Sequence, residues 1–234
     1  MKPLCALATT VSLLCAAPLS AAIYLIDFSG SGGTPSSPDT NGNHWNSLAT
    51  ANSSTLSSLA DTGGTSEAIS ITTSGFGGNS SAGTITAHPS LGNLGISSAL
   101  VDWFHVNSGG TGTVTISGLD DSLTYTLDLF GSRPIDTTRI TTYTIGGVSQ
   151  KQTSAGVNSG TGSGSGTNRN DDDLTTFANI SPTSGVITFT VRNTDTADFS
   201  YINAMRLTSV PEPSHGALIV GCFLLIACKR RRNG

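Results

Sequence analysis

Val186-Ile187-Thr188-Phe189-Thr190-Val191 is the stretch on which the fold turns. Side chains of an extended chain point alternately to opposite faces, so Ile187, Phe189 and Val191 share one face and Val186, Thr188 and Thr190 the other. A strand with three large apolar groups on one side packs that side on a core. Outward from it, short runs with the same character recur at 23–28, 68–73, 99–106, 112–116, 125–131, 141–145, 174–180 and 201–207. Turn chemistry separates them: Gly118-Leu119-Asp120-Asp121, Gly146-Gly147, Ser181-Pro182-Thr183-Ser184-Gly185 and Asn193-Thr194-Asp195. About nine strands with this punctuation predict an all-β fold, an antiparallel β-sandwich.

The remainder of the body supports one domain over residues 23–209. Gly, Ser, Thr and Asn dominate it, the composition of turns and pleated surfaces. Leu48, Leu56 and Leu59 make the body's one helix candidate, although the Ser, Thr and Asn between them favour caps and turns. Segments 29–43 and 154–173 have little core-forming content and read as flexible loops or a lid.

Both ends differ from the body. Residues 1–22, MKPLCALATTVSLLCAAPLSAA, give Lys2, an apolar run and small residues at Ser20 and Ala22, the layout of a secretory signal peptide cut after Ala22. A lipoprotein signal would need a small residue just before the modified cysteine, whereas Cys5 follows Leu4 and Cys15 follows Leu14. Residues 210–234 begin Val210-Pro211-Glu212-Pro213, continue as an apolar run from Gly216 to Cys228, and carry the cluster Lys229, Arg230, Arg231 and Arg232. Thirteen residues at about 1.5 Å each span only about 20 Å, short of a hydrocarbon core of about 30 Å. The expected C-terminal transmembrane helix is therefore short, and its basic cluster acts as a cytoplasmic stop-transfer signal that leaves the body outside the inner membrane.

Pro-Glu-Pro, a short apolar helix and a basic cluster, in that order and joined to a signal peptide, resemble the PEP-CTERM sorting signal of Gram-negative bacteria. The resemblance implies that an exosortase processes the chain near Pro211, Glu212 and Pro213 and passes it to the cell surface or extracellular matrix. Two prolines hold that segment extended, a shape a processing enzyme can grip. A second resemblance lies in the body. Leu127-Asp128-Leu129-Phe130-Gly131-Ser132-Arg133, Thr141-Thr142-Tyr143-Thr144-Ile145-Gly146-Gly147, 177–182 and 201–207 are similar in order to galactose-binding-like jelly-roll domains. This implies a jelly-roll-like sandwich and says less about activity.

Composition excludes several functions. Cys5, Cys15, Cys222 and Cys228 all lie in the terminal segments, so the body has no disulfide, thiolate metal site or cysteine nucleophile. Six basic residues stand against fourteen acidic ones in the body, a net of about −8, without the clustered cations that phosphate contact needs. Nucleic acid is not an expected partner.

Site candidates are few. Asp171, Asp172 and Asp173, beside Asn168 and Asn170, offer hard oxygen ligands for calcium, but lack the spacing of an EF-hand loop. His44, His88, His105 and His215 show no zinc-binding spacing. Asp102, Asp128, Asp136 and Glu67 are the carboxylates a glycosidase would draw on, yet no spacing selects a pair. Trp45, Trp103, Phe104 and Tyr143 could stack on a sugar, with core packing the competing role of Trp103 and Phe104. Arg133, at the end of a strand and before Pro134, either binds a carboxylated sugar or pairs with Asp136. Trp45, Arg133 and Tyr143 are thus the carbohydrate-binding candidates. The expected role is a non-enzymatic envelope or matrix protein associated with exopolysaccharide. A carbohydrate-binding module is the alternative, and a polysaccharide-active hydrolase the third reading.

Overall fold

A computed structural model describes residues 20–29, 33–157, 168–195 and 198–211. Fourteen strands occur among them: β1 Ile23–Asp27, β2 Trp45–Ser47, β3 Thr55–Ser57, β4 Ser70–Ser74, β5 Gly78–Ser81, β6 Asp102–Val106, β7 Gly112–Ser117, β8 Thr124–Phe130, β9 Arg139–Ile145, β10 Val148–Ala155, β11 Thr175–Ile180, β12 Val186–Arg192, β13 Ser200–Ile202 and β14 Ala204–Val210. They form a five-stranded sheet ordered β11-β8-β14-β1-β2, a six-stranded sheet ordered β10-β9-β12-β7-β4-β3, and a small sheet ordered β13-β6-β5. The architecture is a jelly-roll-like β-sandwich. Its pairing is antiparallel except between β1 and β2, which run parallel.

The alternation in β12 is realised in three dimensions. Ile187, Phe189 and Val191 are buried, and Phe189 stands opposite Val114 of β7 and Ile145 of β9. Tyr125, Leu127 and Leu129 of β8, Met205 and Leu207 of β14, and Tyr24 and Ile26 of β1 belong to the same core cluster. Burying such side chains contributes about 1.5–3 kcal/mol each before the cost of ordering them.

The five-stranded sheet is covered on its outer face as well. Leu25, Phe130 and Ala204 pack there with Ile85, Leu91, Leu94, Ala99 and Leu100. These come from a 3₁₀ segment, Pro89–Leu94, a short helix, α1 Ser97–Leu100, and the chain before them. Burial on both faces is why β1 reads as a nearly continuous apolar run.

Eight expected strands match β1, β4, β6, β7, β8, β9, β11 and β12, and the ninth is broken at Asn203 into β13 and β14. Gly146 and Gly147, at φ 55° and 84°, make the two-residue turn between β9 and β10, a geometry that side chains with a Cβ resist. The helix candidate at 48–59 is overturned. Thr55–Ser57 is a strand, and Ser53 and Ser58 adopt left-handed backbone at φ 54° and 59°. The Asn52 carboxamide bonds the Phe76 backbone, its Oδ1 accepting from Phe76 N at 2.8 Å, so the polar residues serve a turn while Leu48 and Leu59 fill the core.

Residues 30–32 and 158–167 of the two low-complexity segments lie outside the described residues, and the described parts are held by specific contacts. Asp39 Oδ1 accepts from the backbone of Asn41 and Asn43 at 2.7 and 3.0 Å, which folds the first around one carboxylate. In the second, Arg169, Asn170 and Asp171 are buried. Among the described residues no helix is long and apolar enough to cross a membrane. The signal segment to residue 19, Glu212, Pro213, the apolar run 216–228 and the cluster 229–232 lie outside the described residues. Pro211, half-buried, is described and directly follows β14.

Candidate functional site

Strand β6 divides its side chains between two environments. Phe104 and Val106 enter the main core, where Phe104 meets Phe28 and Phe76 edge to face at 5.5 and 5.7 Å. Trp103 and His105 therefore project from the opposite face. Directly opposed residues of antiparallel strands share a face, so Ser80 of β5 joins Trp103, and Tyr201 of β13 joins His105. Gly78, the other residue opposite His105, has no side chain to fill the space. Phe199, just before β13, closes one wall with its ring edge to face on His105 at 5.7 Å.

Arg133 supplies the remaining wall. It leaves β8 after Gly131 and Ser132, and its backbone N–H donates to the Ser154 carbonyl at 3.0 Å. Gly131 allows this path, because a Cβ there would lie 2.5 Å from the Tyr201 carbonyl oxygen. The Arg133 guanidinium carbon sits 5.8 Å from the Trp103 ring centroid and 5.4 Å from that of Tyr201, with Nη1 donating to the Tyr201 hydroxyl at 2.7 Å. Ser80, Trp103, His105, Arg133 and Phe199 together line a cleft of about 230 Å³. Burial, helped by the Arg133 charge, holds His105 below its usual pKa, so near neutral pH its imidazole is uncharged.

The sequence candidates fare differently. Arg133 lines the cleft and does not pair with Asp136, which accepts from the Asn168 carboxamide instead. Trp45 is overturned as a sugar platform. It is 6% exposed, and its indole N–H donates to Asp39 Oδ2 at 2.8 Å. Burial opposes ionisation of Asp39, but the bonds from Trp45, Asn43 and Asn41 outweigh it and hold its pKa below the usual value. Tyr143 is overturned too, being fully buried with its hydroxyl donating to the Tyr201 carbonyl at 3.0 Å.

The three acids of the run, a solvated loop by composition with calcium binding as the other reading, stand in different surroundings. Asp171 is buried, Asp172 half-buried and Asp173 exposed. Among the described residues no group of three or more His, Cys, Asp or Glu side chains is placed to hold a metal ion. Asp171 instead supports the positive charge of buried Arg169 against desolvation, which lowers that guanidinium to about 10. Arg169 donates to the Ser132 hydroxyl at 3.1 Å and to the carbonyls of Ala82 and Leu100 at 3.2 and 3.1 Å. This anchors the segment leading to Arg133.

Of the four glycosidase candidates, Asp128 is tied to Arg206 at 2.8 Å, Glu67 is exposed, and none lines the cleft. Asp102 is buried beside Asp27, whose pKa burial raises to about 8, with Asp102 adding to the rise and Ser47 opposing it. Sequence reading missed Asp27, since nothing in the strand IYLID tells an inward carboxyl from an edge one. It also passed over Phe199, which sits in a polar stretch, and tested His105 only for zinc-binding spacing.

No family model matches the chain, and no curated protein matches it. Among solved structures, an exo-β-1,3-galactanase from Phanerochaete chrysosporium is similar. Its complex with β-1,3-galactotriose is 14% identical at a TM-score of 0.32, and its complex with galactose 12% identical at 0.30. The alignments cover 62% of this chain and 31% and 30% of the galactanase chains, so this chain spans about a third of their length. At that level of likeness, what this chain does is to be read from its own residues.

Proposed function

We propose that this chain is an exported, non-enzymatic protein of the cell envelope or extracellular matrix, sorted by an exosortase through Pro211, Glu212 and Pro213, whose sandwich associates with exopolysaccharide at the Arg133 cleft. The observation that carries the sorting is the junction between fold and tail. Strand β14 ends at Val210, and the Pro-Glu-Pro motif begins at the next residue. Processing there would leave β14, and with it the five-stranded sheet, intact. An apolar run of thirteen residues, about 20 Å long if helical, suits transient residence in the membrane better than permanent anchoring. The lining of the cleft, a cation and aromatic edges beside Ser80 and His105, is the mixture that orients a polyhydroxylated ligand.

The test is cell fractionation in a host with an exosortase. The wild-type chain is expected in the surface or matrix fraction, and a variant with Pro211, Glu212 and Pro213 all changed to Ala in the inner membrane. Identical distribution of the two would contradict sorting through this motif.

A further inference from the structure

We propose that the cleft selects a carboxylate-bearing saccharide, a uronic-acid type of residue, with Arg133 as the partner of its carboxylate. The inference rests on the reading that the sandwich holds extracellular polysaccharide, and names the class of sugar recognised.

Charge pairing among the described residues carries it. Arg139, whose guanidinium lies 6.0 Å from the Phe199 ring centroid, is paired with Asp198. Lys151 pairs with Asp195 and Arg206 with Asp128. Arg133, Arg169 and Arg192 have no carboxylate within 4.0 Å among the described residues, but Arg192 is exposed and Arg169 is buried with its N–H groups on the Ser132 hydroxyl and on carbonyls, which leaves Arg133 as the unpaired cation half-buried in the cleft wall. The Asp136 carboxylate, nearest in sequence, is engaged by Asn168. A partly desolvated cation without an internal counter-ion favours an anionic ligand.

Geometry narrows the anion. The guanidinium is fixed by two ring faces and by the 2.7 Å bond from Nη1 to the Tyr201 hydroxyl. It is oriented before any ligand arrives, so little side-chain freedom is lost on binding. A planar fork held in this way matches the two oxygens of a carboxylate.

The other walls suit the rest of a sugar ring. Ser80 and the uncharged His105 can exchange hydrogen bonds with hydroxyls, while Phe199 and the edge of Trp103 offer apolar contact to C–H groups. A volume of about 230 Å³ lies below the range of about 300–1,000 Å³ for drug-sized sites, which points to one sugar residue per cleft.

The experiment compares binding of the full chain, in detergent, to polygalacturonate, to the same polymer fully methyl-esterified, and to free glucuronate and glucose. Arg133→Gln and Arg133→Lys are measured in parallel, and their thermal midpoints checked against wild type. Polygalacturonate and glucuronate are expected to bind. Esterification, or Arg133→Gln, is expected to weaken binding at least about tenfold, the scale of a lost charge-assisted pair, with Arg133→Lys in between. Equal binding of acid and ester, or wild-type affinity in a folded Arg133→Gln variant, would overturn the carboxylate assignment while leaving polysaccharide association standing. Absence of binding to every saccharide would overturn both.

Discussion

The hydroxyl of Tyr143 donates to the main-chain carbonyl of Tyr201 at 3.0 Å, tying β9 of the six-stranded sheet to β13, the strand that follows Phe199 of the cleft wall. Thr141, two residues earlier on β9, adds a second tie by accepting from Tyr201 N at 3.0 Å. The cleft is thus mounted on the sandwich core through paired donors and acceptors rather than on a free loop. Tyr143, a sugar-binding candidate by sequence, acts one layer behind the site.

Tyr143→Phe keeps the ring in its buried position and removes only the hydroxyl. Leaving the Tyr201 carbonyl with one donor fewer is expected to cost about 1–2 kcal/mol. Urea denaturation measures the loss. Binding at the cleft should weaken several-fold as Tyr201 loosens, and an unchanged urea midpoint would show that the bond does not tie the two sheets.

Trp45→Phe separates fold from ligand. The variant keeps a buried aromatic ring but loses the 2.8 Å bond to the Asp39 carboxylate, and a hydrogen bond to a charged group contributes about 1.5–3 kcal/mol. A lower denaturation midpoint with unchanged saccharide binding is the expected pair of results. Loss of binding in a folded Trp45→Phe variant would return Trp45 to the ligand site.

Asp27 gives stability a pH dependence of known sign. A buried carboxyl raised to about 8 binds its proton more tightly in the folded state than in the unfolded one. Its contribution is complete below the unfolded value near 4 and is lost as pH rises through about 8. Asp102, the acid beside it, strengthens the effect, while Ser47 weakens it. From about pH 7, above the range in which His105 titrates, the wild-type denaturation midpoint should fall, and it should level off above about pH 8, where Asp27 is ionised in both states. Asp27→Asn, neutral throughout, should give a flatter profile. Parallel profiles would remove Asp27 as the cause.

The fold was legible because its core strands alternate. Phe189, which the pattern placed on the apolar face, stands opposite Val114 in the core. Strand β10 escaped because Ser149, Gln150, Lys151 and Gln152 carry no apolar period. It is an edge strand held by backbone pairing to β9, where a lysine guards against edge-to-edge association. Strands β2, β3 and β5 have three or four residues each, too few to show a period.

The cleft was legible through Arg133 and, in part, through Trp103, whose competing reading was core packing. Trp103 and His105 acquire their roles from register, since β6 puts them on the face away from the core and opposite Ser80 and Tyr201. Trp45 misled for the converse reason. A tryptophan in a polar loop reads as exposed until the buried Asp39 carboxylate that receives its N–H is known.

Export with processing at the sorting motif is the central claim, and the intact mass of the protein recovered from the surface or matrix of an exosortase-bearing host tests it most directly. The recovered chain is expected to start at Ile23 and to end close to Pro211-Glu212-Pro213, before the apolar run that begins at Gly216. Recovery of a chain that retains residues 216–232 would contradict it.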